Sequence, residues 1–264
     1  MSNPIVARVQ CISIEGPDAR RFAQAQFAND VDALTPGHWQ WNAWLDARGR
    51  VRALMQLADL GDDRLLAILR GGDATRIRDD LSRYLLRSRA TVTAHARAGC
   101  STDAVVAGRV VVGPRVVVGY GDRSLGLVPP SAAPDPAAAN RWRLADIRAG
   151  WPTLPPGVDD LLPPALGLER LGAVAFDKGC YPGQEIAARL HFRGGHKSGL
   201  FHVRGPTALA AGTSHRMADG KLVRVLDCAN ADPGVEALVV CPIDTQSKIN
   251  IMDIEYHVVS RFEA

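Results

Sequence analysis

The stretch Lys178-Gly179-Cys180-Tyr181-Pro182-Gly183-Gln184-Glu185 opens the most chemically dense run of the chain, which continues to Leu200. Gly179 and Gly183 permit a tight turn and close backbone approach around Cys180. Pro182 suits the first position of a helix running to about Phe192, with Ile186 and Leu190 pointing inward. That places Cys180 just before a helix N-terminus and two residues from Lys178, and both features stabilise a thiolate. Cys180 is therefore the candidate reactive thiol; the competing role is a small buried side chain, as is common for free cysteine. Glu185 and Arg189 stand i,i+4 in the favourable order. They form either a surface pair worth ~0.3–0.5 kcal/mol or, with Arg193, His196 and Lys197, part of a site for an anionic ligand. His191, His196 and His202 lack the spacing of a metal site, so no bound metal is expected.

Working outward, 264 residues suffice for one large domain or two to three small ones with a real core. A hydrophobic share of 47% and a charged share of 22% exclude disordered, collagen-like and coiled-coil chains. A net charge of +3 gives no support to a dedicated nucleic-acid binder. The five cysteines are scattered, with no CxxC pair. They resemble neither a disulfide framework nor a zinc or iron–sulfur ligand set, which points to a reducing compartment. Cys11, Cys100, Cys228 and Cys241 lie in apolar strand patterns and are assigned to packing. The first residues have no charged region followed by an apolar run, and no stretch approaches the ~18 apolar residues of a membrane span. The expected location is the cytoplasm.

Alternation from Ile5 to Ile14 predicts a strand, and Gly16-Pro17-Asp18 then opens a helix through Phe22, Ala23, Gln26 and Phe27. His38 to Leu45 and Val51 to Leu60 form a hairpin across Asp46-Ala47-Arg48-Gly49. A strand from Arg64 to Leu69 leads to a helix from Asp73 to about Arg87, with Ile77, Leu81, Tyr84 and Leu85 as its buried stripe. Further short strands fill Thr91 to Val128, including Ala104 to Val112 and Arg115 to Tyr120, joined at Gly113-Pro114. Pro129 to Pro136, including Ser131, is read as a loop before a helix from Ala137 to Ile147. Pro152 to Pro164 separates that helix from Leu166 to Phe176. Beyond Leu200 the pattern is strands and turns: Phe201 to Val203, Leu222 to Leu226, Val235 to Val240 and Ile249 to Val259. The fold class is α+β with a small C-terminal β-barrel.

The quoted octapeptide resembles the K-G-C-Y-x-G-Q-E signature of the YgfZ family, folate-dependent proteins that support iron–sulfur enzymes and tRNA modification. Phe22 to Val31 with Leu45 to Val51 resembles the family's N-terminal segment, and Ile147 to Pro152 with Leu161 to Pro163 resembles the approach to the signature. The family is related to the aminomethyltransferase, or T-protein, of the glycine-cleavage system. The resemblance implies two ferredoxin-like units around a central cavity, at 1–97 and 98–198, and a β-barrel at 199–264. It also implies tetrahydrofolate in the cavity and an essential Cys180 supported by Lys178, Tyr181, Gln184 and Glu185. Trp142, placed just before the helix containing Ile147, is the candidate to stack on the pterin, and Arg189 and the basic run from Lys178 to Arg204 the candidates for the folate tail. Pro163-Pro164-Ala165-Leu166 departs from the family, where a Gln often follows the proline.

The leading function is a folate-binding accessory protein for iron–sulfur cluster assembly or repair, with iron–sulfur client enzymes as partners. A second reading is a true aminomethyltransferase, but Arg70-Gly71-Gly72-Asp73 replaces that enzyme's Asn-rich segment, and the nearby acids Asp79 and Asp80 fall on a helix. A third is direct tRNA binding through Arg64, Arg70, Arg76, Arg78, Arg83, Arg87 and Arg89. No RNA-binding motif or aromatic platform accompanies them, which favours a solvated basic face.

Overall fold

A computed structural model describes residues 3–103, 105–130, 133–217 and 219–262. Ala104 and Ser131, which belong to segments read above as a strand and a loop, lie outside the described residues. In chain order the elements are β1 (Ile5–Glu15), α1 (Ala19–Gln26), β2 (Trp39–Leu45), β3 (Val51–Gly61), β4 (Arg64–Leu69), α2 (Ala74–Ser82) and β5 (Thr91–Thr102). There follow β6 (Val110–Val112), β7 (Val116–Gly119), β8 (Ser124–Val128), α3 (Pro136–Arg148), a 3-10 turn at Pro163–Leu166 and α4 (Gln184–Arg193). The chain closes with β9 (Ser198–Gly205), β10 (Ser214–Arg216), β11 (Leu222–Asn230), β12 (Val235–Pro242), β13 (Lys248–Ile251) and β14 (Ile254–Phe262). The class is α+β with few helices.

The first eight strands form one antiparallel sheet in the order β2-β3-β4-β1-β5-β8-β7-β6. Strand β5 runs continuously across the 97/98 boundary. The sheet curls until its ends meet: the Trp39 N–H donates to the Gly108 carbonyl at 2.9 Å and the Val110 N–H to the Gly37 carbonyl at 2.8 Å. The remaining six strands form a second sheet, β10-β11-β12-β9-β14-β13. Among the described residues no ladder joins its edges β10 and β13.

Strand periodicity sets the layers. On β3, Ala53, Met55 and Leu57 turn toward α1 and α2, where they pack with Phe22, Ile77 and Leu81. Val51 and Leu54 turn the other way, into a core shared with Ile147 of α3 and with Leu226, Leu238 and Val240 of the second sheet. Each such buried aliphatic side chain contributes about 1.5–3 kcal/mol. No helix among the described residues is long and apolar enough to cross a membrane.

Three local expectations are corrected. Helix α2 ends at Ser82, well before Arg87. The Ser82 hydroxyl bonds back to the Arg78 carbonyl at 2.7 Å and the next residues form tight i to i+3 turns, which leaves Tyr84 half exposed. The run Ile249 to Val259 is two strands, β13 and β14, joined at Met252 and Asp253 with φ of 53° and 62°. That is a two-residue hairpin whose turn lacks the usual Asn-Gly signal. Pro182 lies outside α4, because Gly183 interrupts with a left-handed φ of 78°.

Leu154 joins the first sheet through its N–H, which donates to the Arg70 carbonyl at 2.7 Å, and pairs beside Gly71 at φ 94°. A methyl group on Gly71 would overlap the Leu154 carbonyl oxygen. Gly71→Ala is expected to lower stability by about 2–3 kcal/mol, read as a lower urea midpoint with an unchanged m-value.

Candidate functional site

The signature octapeptide is fixed by its own residues. The Lys178 ammonium donates to the carbonyls of Gln24 (2.7 Å), Phe27 (2.7 Å) and Asn29 (2.9 Å), at and just beyond the C-terminus of α1. These use all three of its donors and place a cation at the negative end of the helix. The ammonium also lies 5.3 Å from the Tyr181 ring. Burial pulls the Lys178 pKa down to about 8, with the Asp30 and Asp32 carboxylates acting against it. Tyr181 is buried, its hydroxyl donates to the Ala175 carbonyl at 3.0 Å, and burial pushes its pKa up to about 12. The Gln184 amide donates to the Lys178 carbonyl at 3.3 Å. Gly183 abuts the hairpin turn: a methyl group there would strike the Asp46 carbonyl oxygen and Gly49.

Held from below in this way, Cys180 is exposed, whereas Cys11, Cys100 and Cys241 are buried and Cys228 is half-buried. Burial pushes the Cys11 and Cys241 thiols up to about 12. Lys178 stands near Cys180 in sequence, but its donors are all committed to backbone carbonyls. Glu185 and Arg189 are both exposed and, among the described residues, form no ion pair with each other. Of the expected inward pair, Ile186 is half-buried with its side chain against Gly49 and Leu190 is half-buried, while Ala187 is the fully buried residue of α4. His202 bonds to Glu236 at 2.9 Å and His191 to Glu169 at 2.7 Å. No group of three or more metal-ligating side chains occurs among the described residues.

A separate cavity of about 300 Å³ lies where the first sheet, α3 and β11 meet, lined among others by Gln56, Arg70, Tyr120, Trp142, Asp146 and Asp227. Trp142 sits within α3 rather than before it, and one face of its ring is covered by the Arg123 guanidinium at 4.7 Å. Asp146, buried, bridges Arg70 at 2.8 Å and Arg123 at 2.5 Å. Gln56, 1% exposed, accepts from the Tyr120 hydroxyl at 2.7 Å, while its buried amide nitrogen has no partner. Burial pushes the Asp227 pKa up to about 6, opposed by Arg143 and the Cys228 N–H. The cavity thus offers an aromatic ring, a free amide donor and a carboxyl that titrates near neutrality, the kind of group that clusters at binding sites. No signature residue lines it, nor do Arg189, Arg193 or Lys197.

The sequence reading missed Gln56, Tyr120, Asp146 and Asp227. A polar Gln at an inward position of an apolar strand was the one available signal; the rest depend on long-range contacts. The basic stretch also changes character, since Arg70 is buried against Asp146. Arg64, Arg78, Arg83 and Arg89 each pair with an aspartate.

The chain is 27% identical to the tRNA-modifying protein YgfZ of Cronobacter sakazakii, over 73% of this chain and 68% of that protein. It is 24% identical to the same-named protein of Serratia proteamaculans, over 92% and 85%. The chain is a homologue of the YgfZ proteins. No family model matches it. The glycine cleavage system aminomethyltransferase T of Bartonella henselae superposes with a TM-score of 0.71, covering 97% of this chain and 84% of its own, at 14% identity, a likeness of fold.

The Asp227 carboxyl provides a pH test of the cavity. Its folded pKa lies above the ordinary 3.8, so its contribution to stability is fully present below about pH 4 and is lost as pH rises through about 6. Asp227→Asn imitates the protonated form. It is expected to be more stable than the parent at pH 7, by on the order of 2 kcal/mol, with the gain vanishing at pH 4 in thermal melts.

Proposed function

We propose that this chain supports tRNA modification as a tetrahydrofolate-binding accessory protein for iron–sulfur cluster assembly or repair, with Cys180 as its working thiol. The observation that carries the reading is a convergence of distant segments. Lys178 is bonded to the Gln24–Asn29 segment. Gly183 lies against the Asp46–Gly49 turn. The Leu161 carbonyl accepts from the Val51 N–H at 2.8 Å. These are the segments that carry the family resemblance, and two of them hold the signature whose Cys180 is the one exposed cysteine among the described residues. The relatives named tRNA-modifying protein YgfZ support the process, and five free cysteines suit the cytoplasm.

Tetrahydrofolate belongs, on this reading, in the cavity lined by Trp142. Trp142, which lines the cavity, would stack on the pterin, while the unpartnered Gln56 nitrogen and the Asp227 carboxyl supply a donor and an acceptor for its polar edge. When bound, the folate supplies one-carbon chemistry. The chain's own part is to orient the pterin and to present Cys180 from a fixed loop. The residues 1–97 and 98–198 then act as two ferredoxin-like units sharing one sheet, with 199–264 as the barrel closing the cavity. Any cluster engaged by Cys180 would take its other ligands from a partner or a small thiol.

Two measurements test the proposal. Cys180→Ser is expected to abolish support of iron–sulfur-dependent tRNA-modifying enzymes in cells; unchanged modification would remove the thiol from the mechanism. Tetrahydrofolate should quench tryptophan fluorescence saturably, with affinity weakened about tenfold or more in Trp142→Ala; an absence of binding sinks the folate assignment.

A further inference from the structure

A second cavity, of about 310 Å³, lies between β2, β3, the first turns of α2 and the segment from Leu154 to Asp159. Its acids are already engaged. Asp73 caps α2 by accepting from the Thr75 and Arg76 N–H groups, Asp80 pairs with Arg83 at 3.3 Å, and Asp159 pairs with Arg52 at 3.2 Å. Two donors are not. The indole Nε1 of Trp44, a residue only 6% exposed, is buried without a partner. The Arg76 guanidinium, unlike most arginines of its stretch, has neither an ion pair nor a hydrogen bond among the described residues. The two side chains left unmet on this wall are thus both donors, beside the positive end of the nine-residue helix α2.

We propose that this cavity binds a carboxylate, one oxygen accepting from the Trp44 indole N–H and the other from the Arg76 guanidinium. One cation and one neutral donor match a single carboxylate group, which carries one charge, with any second carboxylate of the ligand left outside the pair. Phosphate, carrying up to two charges, would meet the aspartates at 73, 80 and 159 on the same rim. Ile77, Leu154 and Pro155 supply apolar wall for the ligand's carbon skeleton. Nε1 is covered from solvent, so side chains around it shift when a carboxylate reaches it.

The carboxylate has two possible sources: a free small acid, or the acidic tail of a ligand seated in the first cavity. The segments Arg70–Asp73 and Thr153–Pro155 contribute to the walls of both cavities, which places the two on either side of the Gly71–Leu154 contact. The tail source rests on the folate reading given above; the site itself does not.

The test follows the Trp44 indole N–H resonance in nitrogen-15-labelled full-length protein, assigned by its loss in Trp44→Phe and by connectivity to Ala43 and Leu45. Glutarate serves as the free acid, tetrahydrofolate as the tailed ligand and inorganic phosphate as the contrast. Saturable movement with glutarate or tetrahydrofolate, weakened about tenfold or more in Arg76→Gln, upholds the site and tells the source. The proposal is overturned if neither moves the resonance, if Arg76→Gln leaves the titration unchanged, or if phosphate acts as strongly as the carboxylates. A failure of tetrahydrofolate to quench fluorescence at all is a separate result. It counts against the folate reading and leaves glutarate to decide this one.

Discussion

The buried carboxylate of Asp146 is the point on which the architecture turns. It receives Arg70 from the end of β4 and Arg123 from the residue before β8, with all three side chains largely withdrawn from water. Removing one partner from such a group strands the others, at a cost of about 3–5 kcal/mol. Helix α3 is thereby fixed against the first sheet. The two guanidiniums also order the aromatics: Arg123 lies 5.2 Å from Trp151 and Arg70 5.9 Å from Trp41. One ion cluster thus sets both the position of the helix and the shape of the cavity behind it.

The same helix reaches the other way. Arg148, in its last turn, donates two hydrogen bonds of 2.8 Å to Glu236 of β12, and Glu236 also bonds to His202 of β9. A helix charged at Asp146 toward one sheet and at Arg148 toward the other is a joint between two bodies. Its apolar residues serve more than one neighbour, with Ala138 in one cluster and Ile147 in another. No single amphipathic stripe is needed to hold it.

Much of this was legible in the chain. The hairpin at Asp46 to Gly49 follows from its turn residues, and the Asp46 carboxylate accepts from the Arg48 and Arg50 N–H groups at 2.9 Å. Asp73 caps the helix it opens. The prominence of Cys180 among five cysteines was also readable. Hidden from sequence were features made by distant pairing: the continuity of β5 across the expected boundary, the Asp146 cluster, and the donors left over on Gln56 and Trp44. Lys178 shows the limit most clearly. Its nearness to Cys180 suggests an electrostatic partner, yet its ammonium reaches back roughly 150 residues in sequence to brace a helix end.

In each sheet the strand made first ends up in the interior. Strand β1 lies between β4 and β5, and β9 between β12 and β14. During vectorial synthesis, β1 therefore emerges with both edges unpaired and gains its second neighbour only when Thr102 has left the ribosome. The wait is repeated for β9, whose second neighbour ends at Phe262. Open strand edges of this kind template wrong pairings, so the nascent chain has two intervals in which shielding by a chaperone matters most.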